Sequence, residues 1–373
     1  MKLLSIEPTP SPNSMKLNVD QHVSKGATYT QDRQEEAPAI VRELLAIDGV
    51  KSIYRVADFL ALERQSKVDW QPILARVREV FGEERGNRKV QEQHSGDDAF
   101  GEVKVYLQTF RGLPIQLKLD SGQEEKRYPL PERFAQAIMK AQIASENMVM
   151  ERKWEERGVR YGDLDEVGPE VAEEIAAAYD DERLQSLVEE ALRQGKGAPA
   201  PGIRESYPVT LAMLDHPDWK KRYAALEQMN PTKEDLPVLT KALQDPKSSL
   251  RRLATAYLGS LEDPVVLPAL YQALKDPSVT VRRTAGDCLS DLGDPDAIPA
   301  MIEALQDKSK LVRWRAAMFL YETGDESAVD ALEKAQEDPE FEVSMQVKMA
   351  LERIRKGEEA SGSVWQQMTR RNQ

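Results

Sequence analysis

Asp276-Pro277-Ser278-Val279-Thr280-Val281-Arg282-Arg283-Thr284-Ala285-Gly286-Asp287-Cys288-Leu289 is the stretch on which the reading of this chain turns. Its opening Asp marks a position that returns as Asp215, Asp245, Asp307 and Asp338, at intervals of 30, 31, 31 and 31 residues. A constant period of this length predicts a solenoid. The register holds within each unit: five residues after the last four markers stand Leu250, Val281, Val312 and Val343. Nine after stand Ala254, Ala285, Ala316 and Val347, and thirteen after stand Leu258, Leu289, Leu320 and Leu351. These offsets share one face of a helix of about 3.6 residues per turn. An earlier helix in each unit carries Leu236, Leu239 and Leu243, then Leu267, Leu270 and Leu274, then Ile298, Ile302 and Leu305. Asp-Pro at Asp245, Asp276 and Asp338 breaks the two helices apart, because the residue before Pro is pushed out of the helical region.

This unit resembles the HEAT-like repeat with a Val-Arg-Arg-x-Ala-x-x-x-Leu second helix, matched by Val281, Arg282, Arg283, Ala285 and Leu289. The resemblance runs over residues 203–356 and implies stacked helical hairpins that bind another macromolecule. Towards the N-terminus, Gly195 to Gly202 reads as a Gly/Pro hinge and Gly82 to Gly101 as a charged connector. They divide the chain into a first part, 1–85, a middle part, 100–194, the repeats, and a tail, 357–373.

The first part predicts a small α+β unit, with strands at Leu3–Ile6 and Met15–Val19 and a helix over Ala37–Ile47 ended by Asp48-Gly49. Ser52–Val56 and Phe59–Glu63 alternate as a hairpin around Ala57-Asp58. Asp69 is placed to cap a helix with Trp70, Ile73, Leu74, Val77 and Val80 as its stripe. Thr9, Pro10, Pro12, Ser14 and Lys16, with Ile47-Asp48-Gly49-Val50, Asp58-Phe59 and Trp70, resemble the N-terminal domain of NifU-like (Nfu) iron–sulfur scaffold proteins. That family holds its cluster on a Cys-x-x-Cys pair in another domain, and this chain has one cysteine, Cys288. The resemblance therefore implies an adaptor linked to iron–sulfur machinery, with no cluster carried by Cys288.

The middle part predicts two strands, Val103–Leu107 and Ile115–Leu119, joined at Arg111-Gly112-Leu113-Pro114. Helices follow from Pro131 and over Val171–Leu192, broken at Asp180-Asp181. The expected fold is thus an α+β NifU-like domain and an α+β middle domain followed by an all-α HEAT-like solenoid. That order over the whole length resembles the bacterial conserved virulence factor C family, which implies a context in the regulation of virulence traits and names no reaction.

The chain has 373 residues, 31% of them charged, and a net charge of −13, which argues against general affinity for nucleic acid or anionic membrane. No apolar run reaches the roughly 20 residues a bilayer requires, and the N-terminus lacks a signal-peptide pattern, so a cytoplasmic protein is expected. His22, His94 and His216 stand 72 and 122 residues apart, which offers no ligand cluster and no base for a triad. There is no phosphate-binding Gly-rich motif. No catalytic residue, metal site or cofactor is expected, and protein partners are.

The arginines are the most informative polar feature. Arg251-Arg252, Arg282-Arg283, Arg313 and Arg315 recur on successive second helices. They are expected first to reach back to the turn aspartates Asp245, Asp276 and Asp307 as a ladder. The functional alternative is that Arg252 and Arg283 grip an acidic partner beside Trp314 as an aromatic anchor. Ser14 and Lys16 are the candidate contacts on the Pro-rich N-terminal segment. The tail around Trp365 and Met368 is expected to dock on the chain itself. An enzyme with its site between the middle domain and the solenoid, by analogy with lyases built on such repeats, is the competing reading, and a deep polar pocket of converging ionisable groups would favour it.

Overall fold

A computed structural model describes residues 1–9, 11, 13–65, 68–82, 102–122, 124–195 and 207–357. The connector at 83–101, the hinge at 196–202, the tail and His94 lie outside the described residues. Two compact units result: 1–82 with 325–357, and 102–324.

The first unit begins with β1 (Leu3–Pro8), β2 (Ser14–Thr30), α1 (Ala39–Leu45), β3 (Val50–Arg64) and α2 (Trp70–Val80). The strands form one antiparallel sheet with β2 in the middle. Met15, Leu17, Val19, Leu60 and Leu62 alternate onto its inner face, where α1 and α2 bring Val41, Leu44, Leu45, Trp70, Ile73 and Val77. The expected hairpin at Ala57-Asp58 is a single strand, both halves of which pair with β2. It does fold back. Lys51 Nζ lies 3.0 Å from Glu63 Oε1, whereas twelve residues of straight strand would span about 40 Å. The bend sits at Ala57, a non-glycine residue at φ 49°, and at register shifts between Asn18, Val23 and Ala27 on β2. Gly49 turns the chain into β3 at φ +86°, where a Cβ would also collide with Val68.

The second unit opens with β4 (Glu102–Phe110), β5 (Leu113–Asp120) and β6 (Glu125–Pro129), then α3 (Glu132–Ala141), the short α4 (Met148–Glu151), β7 (Lys153–Tyr161), α5 (Leu164–Ala178) and α6 (Asp181–Gln194). The sheet is antiparallel in the order β6-β5-β4-β7. Its β4–β5 turn is Arg111-Gly112, both at positive φ (50° and 82°), the two-residue geometry whose twist matches the strands. Arg111 then caps α6: its guanidinium donates to Ala191 O at 3.0 Å and Gly195 O at 2.8 Å, and pairs with Glu151 at 2.7 Å. Val103, Val105, Leu107, Leu117 and Leu119 face Phe134, Ala137, Ile138 and Ala141 of α3 in the core. Helix α5 approaches β6 so closely that a Cβ on Gly168 would overlap the ring of Tyr128.

The repeats follow in the same unit: α7 (Trp219–Glu227), α8 (Leu236–Ala242), α9 (Ser248–Gly259), α10 (Leu267–Ala273), α11 (Val279–Leu292), α12 (Ile298–Ala304) and α13 (Lys310–Glu322). Leu250, Ala254, Leu258, Val281, Ala285, Leu289, Val312, Ala316 and Leu320, the residues at the predicted offsets, are all buried. The turn aspartates explain why that residue marks the period. Asp245, Asp276 and Asp307 each accept the backbone N–H two residues on, at 2.8, 2.7 and 2.7 Å. The last pair, α14 (Val329–Ala335) and α15 (Phe341–Arg355), keeps the repeat pattern but belongs to the first unit. There Phe341 and Met345 pack on the N-terminal core. Arg64, buried against the Trp70 ring, pairs with Glu342 at 2.8 Å and also donates to Asn13 and Val68.

Candidate protein-binding face of the repeats

The arginines of the second helices do different work. Arg222 of α7 and the first of each Arg-Arg pair on α9 and α11 form the ladder, and it runs forward, correcting the expected direction. Arg222 is bidentate to Asp245 at 2.6 and 2.9 Å, Arg251 to Asp276 at 2.6 and 3.0 Å, and Arg282 to Asp307 at 2.7 and 3.0 Å. Each guanidinium keeps its remaining N–H groups for its own turn, as Arg251 does for Asp245 O at 2.8 Å and Pro246 O at 3.1 Å. One planar fork thus ties three backbone segments together, a geometry an ammonium cannot supply. The Asp276 and Asp245 hydrogen bonds hold the Arg251 and Arg222 guanidiniums above the ordinary arginine range.

Arg252 and Arg283 sit one residue on and point elsewhere. They are 8% and 1% exposed, and Trp314 is 2% exposed, so all three candidates are consumed within the chain. Arg252 reaches both carboxylate oxygens of Glu174 on α5, at 3.4 and 3.2 Å, and Arg160 of β7 reaches the same carboxylate at 3.2 Å. Burial pushes the Glu174 carboxyl up, but Arg252 and Arg160 outweigh it and leave it below the usual carboxylate range. Burial, with Arg252 as a like charge, pushes the Arg160 guanidinium down. Arg283 lies between the rings of Tyr161 and Trp314, 4.4 and 5.7 Å from their centroids. It donates to the Tyr161 hydroxyl at 2.9 Å and pairs with Asp287, which also pairs with Arg315. Burial raises the Tyr161 phenol well above its ordinary value, so that it stays a neutral donor and acceptor.

Around these buried contacts the charges segregate by side. The middle domain contributes Glu170, Glu173, Glu174 and Asp180, and the repeats contribute Lys221, Lys247, Ser249 and Arg252. Lys247 meets Glu173 at 3.0 Å, Lys221 meets Asp180 at 2.8 Å, and Ser249 donates to Glu170 at 3.5 Å. Arg183 with Glu227, at 2.8 Å, reverses this order, and Arg160 adds a base on the middle-domain side. The signal for this face was present as Glu at 170, 173 and 174, neighbours on one helical face.

The other candidates lie apart from it. Ser14 and Lys16 are half-buried on the outer face of the first sheet, with Lys16 Nζ 5.3 Å from the Phe59 ring centre. Cys288 is buried, its Sγ 3.5 Å from Thr255 O and its thiol pushed well up by burial. His22 and His216 are exposed. Among the described residues no group of three or more His, Cys, Asp or Glu is arranged to hold a metal ion, and no helix is long and apolar enough to cross a membrane. Two neighbouring grooves of about 410 and 390 Å³ lie along the turns, the first between Asp215-His216-Pro217 and Asp245-Pro246 and the second between Asp245 and Asp276-Pro277. Both are walled by the ladder itself.

Comparison with known proteins agrees with this order of parts. The family described as scaffold protein Nfu/NifU N terminal matches residues 4–86, the virulence factor family matches 108–188, and HEAT repeats match 207–285 and 267–352. The protein YpgR of Bacillus subtilis is 63% identical over 99% of this chain and 98% of its own. Conserved virulence factor C of Staphylococcus haemolyticus is 48% identical over the full length of both. A crystal structure of protein SAV1430 from Staphylococcus aureus is 34% identical over 22% of this chain and 99% of that one, with a TM-score of 0.21. An Nfu-like N-terminal domain, a virulence-factor middle domain and HEAT repeats, aligned end to end with these relatives, make the chain a member of the conserved virulence factor C family.

Proposed function

We propose that the chain is a non-enzymatic cytoplasmic adaptor, which joins protein partners through its Nfu-like domain and its HEAT-like repeats. The observation that supports this most is the run of HEAT repeats matched at 207–285 and 267–352, because stacked repeats of this kind form extended binding surfaces. A catalytic reading of the same place requires an acid or base whose pKa lies near the working pH. At the contact with the middle domain, Glu174 lies below that range because Arg252 and Arg160 hold it down, and Tyr161 lies above it because it is buried. The iron–sulfur link rests on the Nfu-like domain, and the context of virulence traits on the relatives' name. Ser14 and Lys16 are the residues proposed to meet a partner there.

Affinity capture with the full-length chain tests this, comparing wild type with Lys16→Glu. The proposal expects a reproducible protein that is retained by wild type and reduced by the substitution. Recovery of the same background from both sinks the assignment of Lys16, and recovery of no reproducible protein sinks the adaptor reading.

A further inference from the structure

We infer that the end of the middle domain formed by α3, α4 and the turn between them binds an acidic amphipathic helix of a partner protein. This is a third contact surface, beyond those proposed for the Nfu-like domain and the repeats. Met139, Ile143, Val149 and Met150 are 64, 75, 67 and 79% exposed, and among the described residues only Leu4, at 66%, matches them. A single exposed apolar side chain is ordinary, but four within one short stretch mark a contact surface. Met139 and Ile143 stand four residues apart, on the side of α3 and its last turn that faces away from the buried Phe134, Ala137 and Ala141. Ser145 donates to Glu151 at 2.5 Å, which ties α4, with Val149 and Met150, to that turn. Arg111 joins the same carboxylate to the end of α6, where Leu192 is exposed as well.

Charge decides the occupant. Lys140 on α3, and Arg152 and Lys153 directly after α4, meet no carboxylate among the described residues. Glu151 is taken by Arg111 and Ser145, which leaves Glu146 as the one free acid between positions 139 and 153. The surface therefore carries surplus positive charge on a chain whose net charge is −13. A second copy would set these cations against each other across a two-fold contact. The tail would bring Arg370 and Arg371 beside its Trp365 and Met368, and the net charge of the whole chain opposes an anionic membrane. A helix with apolar residues at i and i+4, flanked by Asp or Glu, meets both requirements. Its apolar side covers the four exposed residues while its carboxylates reach the three cations. The two methionines suit such a contact, because an unbranched thioether side chain adapts to the shape it meets.

The test puts the photo-reactive residue p-benzoylphenylalanine at position 143 of the full-length chain, in the cells that make it, and identifies cross-linked peptides by mass spectrometry. A partner protein is expected, joined within a segment that has apolar residues at i and i+4 with Asp or Glu beside them. Cross-links to a segment without that pattern, to a second copy of this chain or to its own residues 358–373 overturn the inference. So does a yield no higher than from the same photo-reactive residue at position 185, exposed on α6. A synthetic peptide of the cross-linked segment is then titrated into the purified full-length chain. Lys140→Glu with Lys153→Glu should weaken its binding at least about tenfold, and added salt should weaken binding to wild type. Ile143→Asp, at a position too exposed to disturb the fold, should abolish it, with circular dichroism unchanged. Equal binding to wild type and either variant contradicts the assignment. Flotation of wild type, and not of Ile143→Asp, with phosphatidylglycerol vesicles would give the surface to lipid and contradict it as well. Capture through Lys16 can fail while this cross-link forms, and the reverse, so the two readings stand or fall separately.

Discussion

Replacing Arg251 by Leu removes one rung of the ladder while keeping an apolar stem of similar bulk. The guanidinium makes two bonds to the Asp276 carboxylate at 2.6 and 3.0 Å and two to the carbonyls of Asp245 and Pro246 at 2.8 and 3.1 Å. The side chains of Arg251 and Asp276 are 12% and 7% exposed, so the carboxylate left behind is nearly out of reach of water. Stripping one partner from a buried ion pair costs about 3–5 kcal/mol. Asp276 keeps the Ser278 N–H at 2.7 Å, which places the expected loss near the lower bound, about 3 kcal/mol. For a unit of this size that is a fall in melting temperature of roughly 6–12 °C. The assay is urea unfolding of wild type, Arg251→Leu, Asp276→Asn and the double variant. With no stranded charge in the Asp276→Asn background, Arg251→Leu there should cost about 1 kcal/mol, the worth of ordinary hydrogen bonds. A loss below about 1 kcal/mol in the wild-type background, or the same loss in both, would refute the ladder as a stabilising device.

Arg64→Met should cost about 3–5 kcal/mol in the first unit, because Glu342 is then buried without its cation; a thermal melt matching wild type would contradict it. Gly168→Ala should destabilise the second unit by about 1–3 kcal/mol, since the Tyr128 ring must move to admit a methyl group, and chemical unfolding measures it. Because its partners depress the Glu174 carboxyl, the stability it contributes is present above its unfolded value of about 4.3 and lost as pH falls through the lower folded value. Unfolding free energies of wild type and Glu174→Gln should therefore converge as pH falls from 6 to 3, and a gap that does not change with pH would contradict the pairing.

The repeats were legible because their period and their apolar offsets are both local, and each buried residue at offsets 5, 9 and 13 could be named from spacing alone. The two β4–β5 strands and the break at Asp180 were legible for the same reason. Strand β7 was not, because Lys153-Trp154-Glu155-Glu156-Arg157-Gly158 carries no alternation of apolar residues and stands half in solvent. The second half of β2 was missed likewise: its residues are exposed or half-buried, and it is held by pairing with β3. The roles of Arg252 and Arg283 hid in geometry. A dipeptide Arg-Arg on a helix points its two side chains about 100° apart, so one joins the turn ladder and its neighbour faces a different domain. Arg64 and Glu342, 278 positions apart, left no trace that spacing can reveal.

Zero-length carbodiimide cross-linking of the native protein, followed by peptide mass spectrometry, tests most directly whether the acidic side of the middle domain is seated on the repeats. Covalent bonds are expected between Lys247 and Glu173, 3.0 Å apart, and between Lys221 and Asp180, 2.8 Å apart, with Lys51–Glu63 at 3.0 Å as an internal control. Formation of the control without either of the other two would contradict the account.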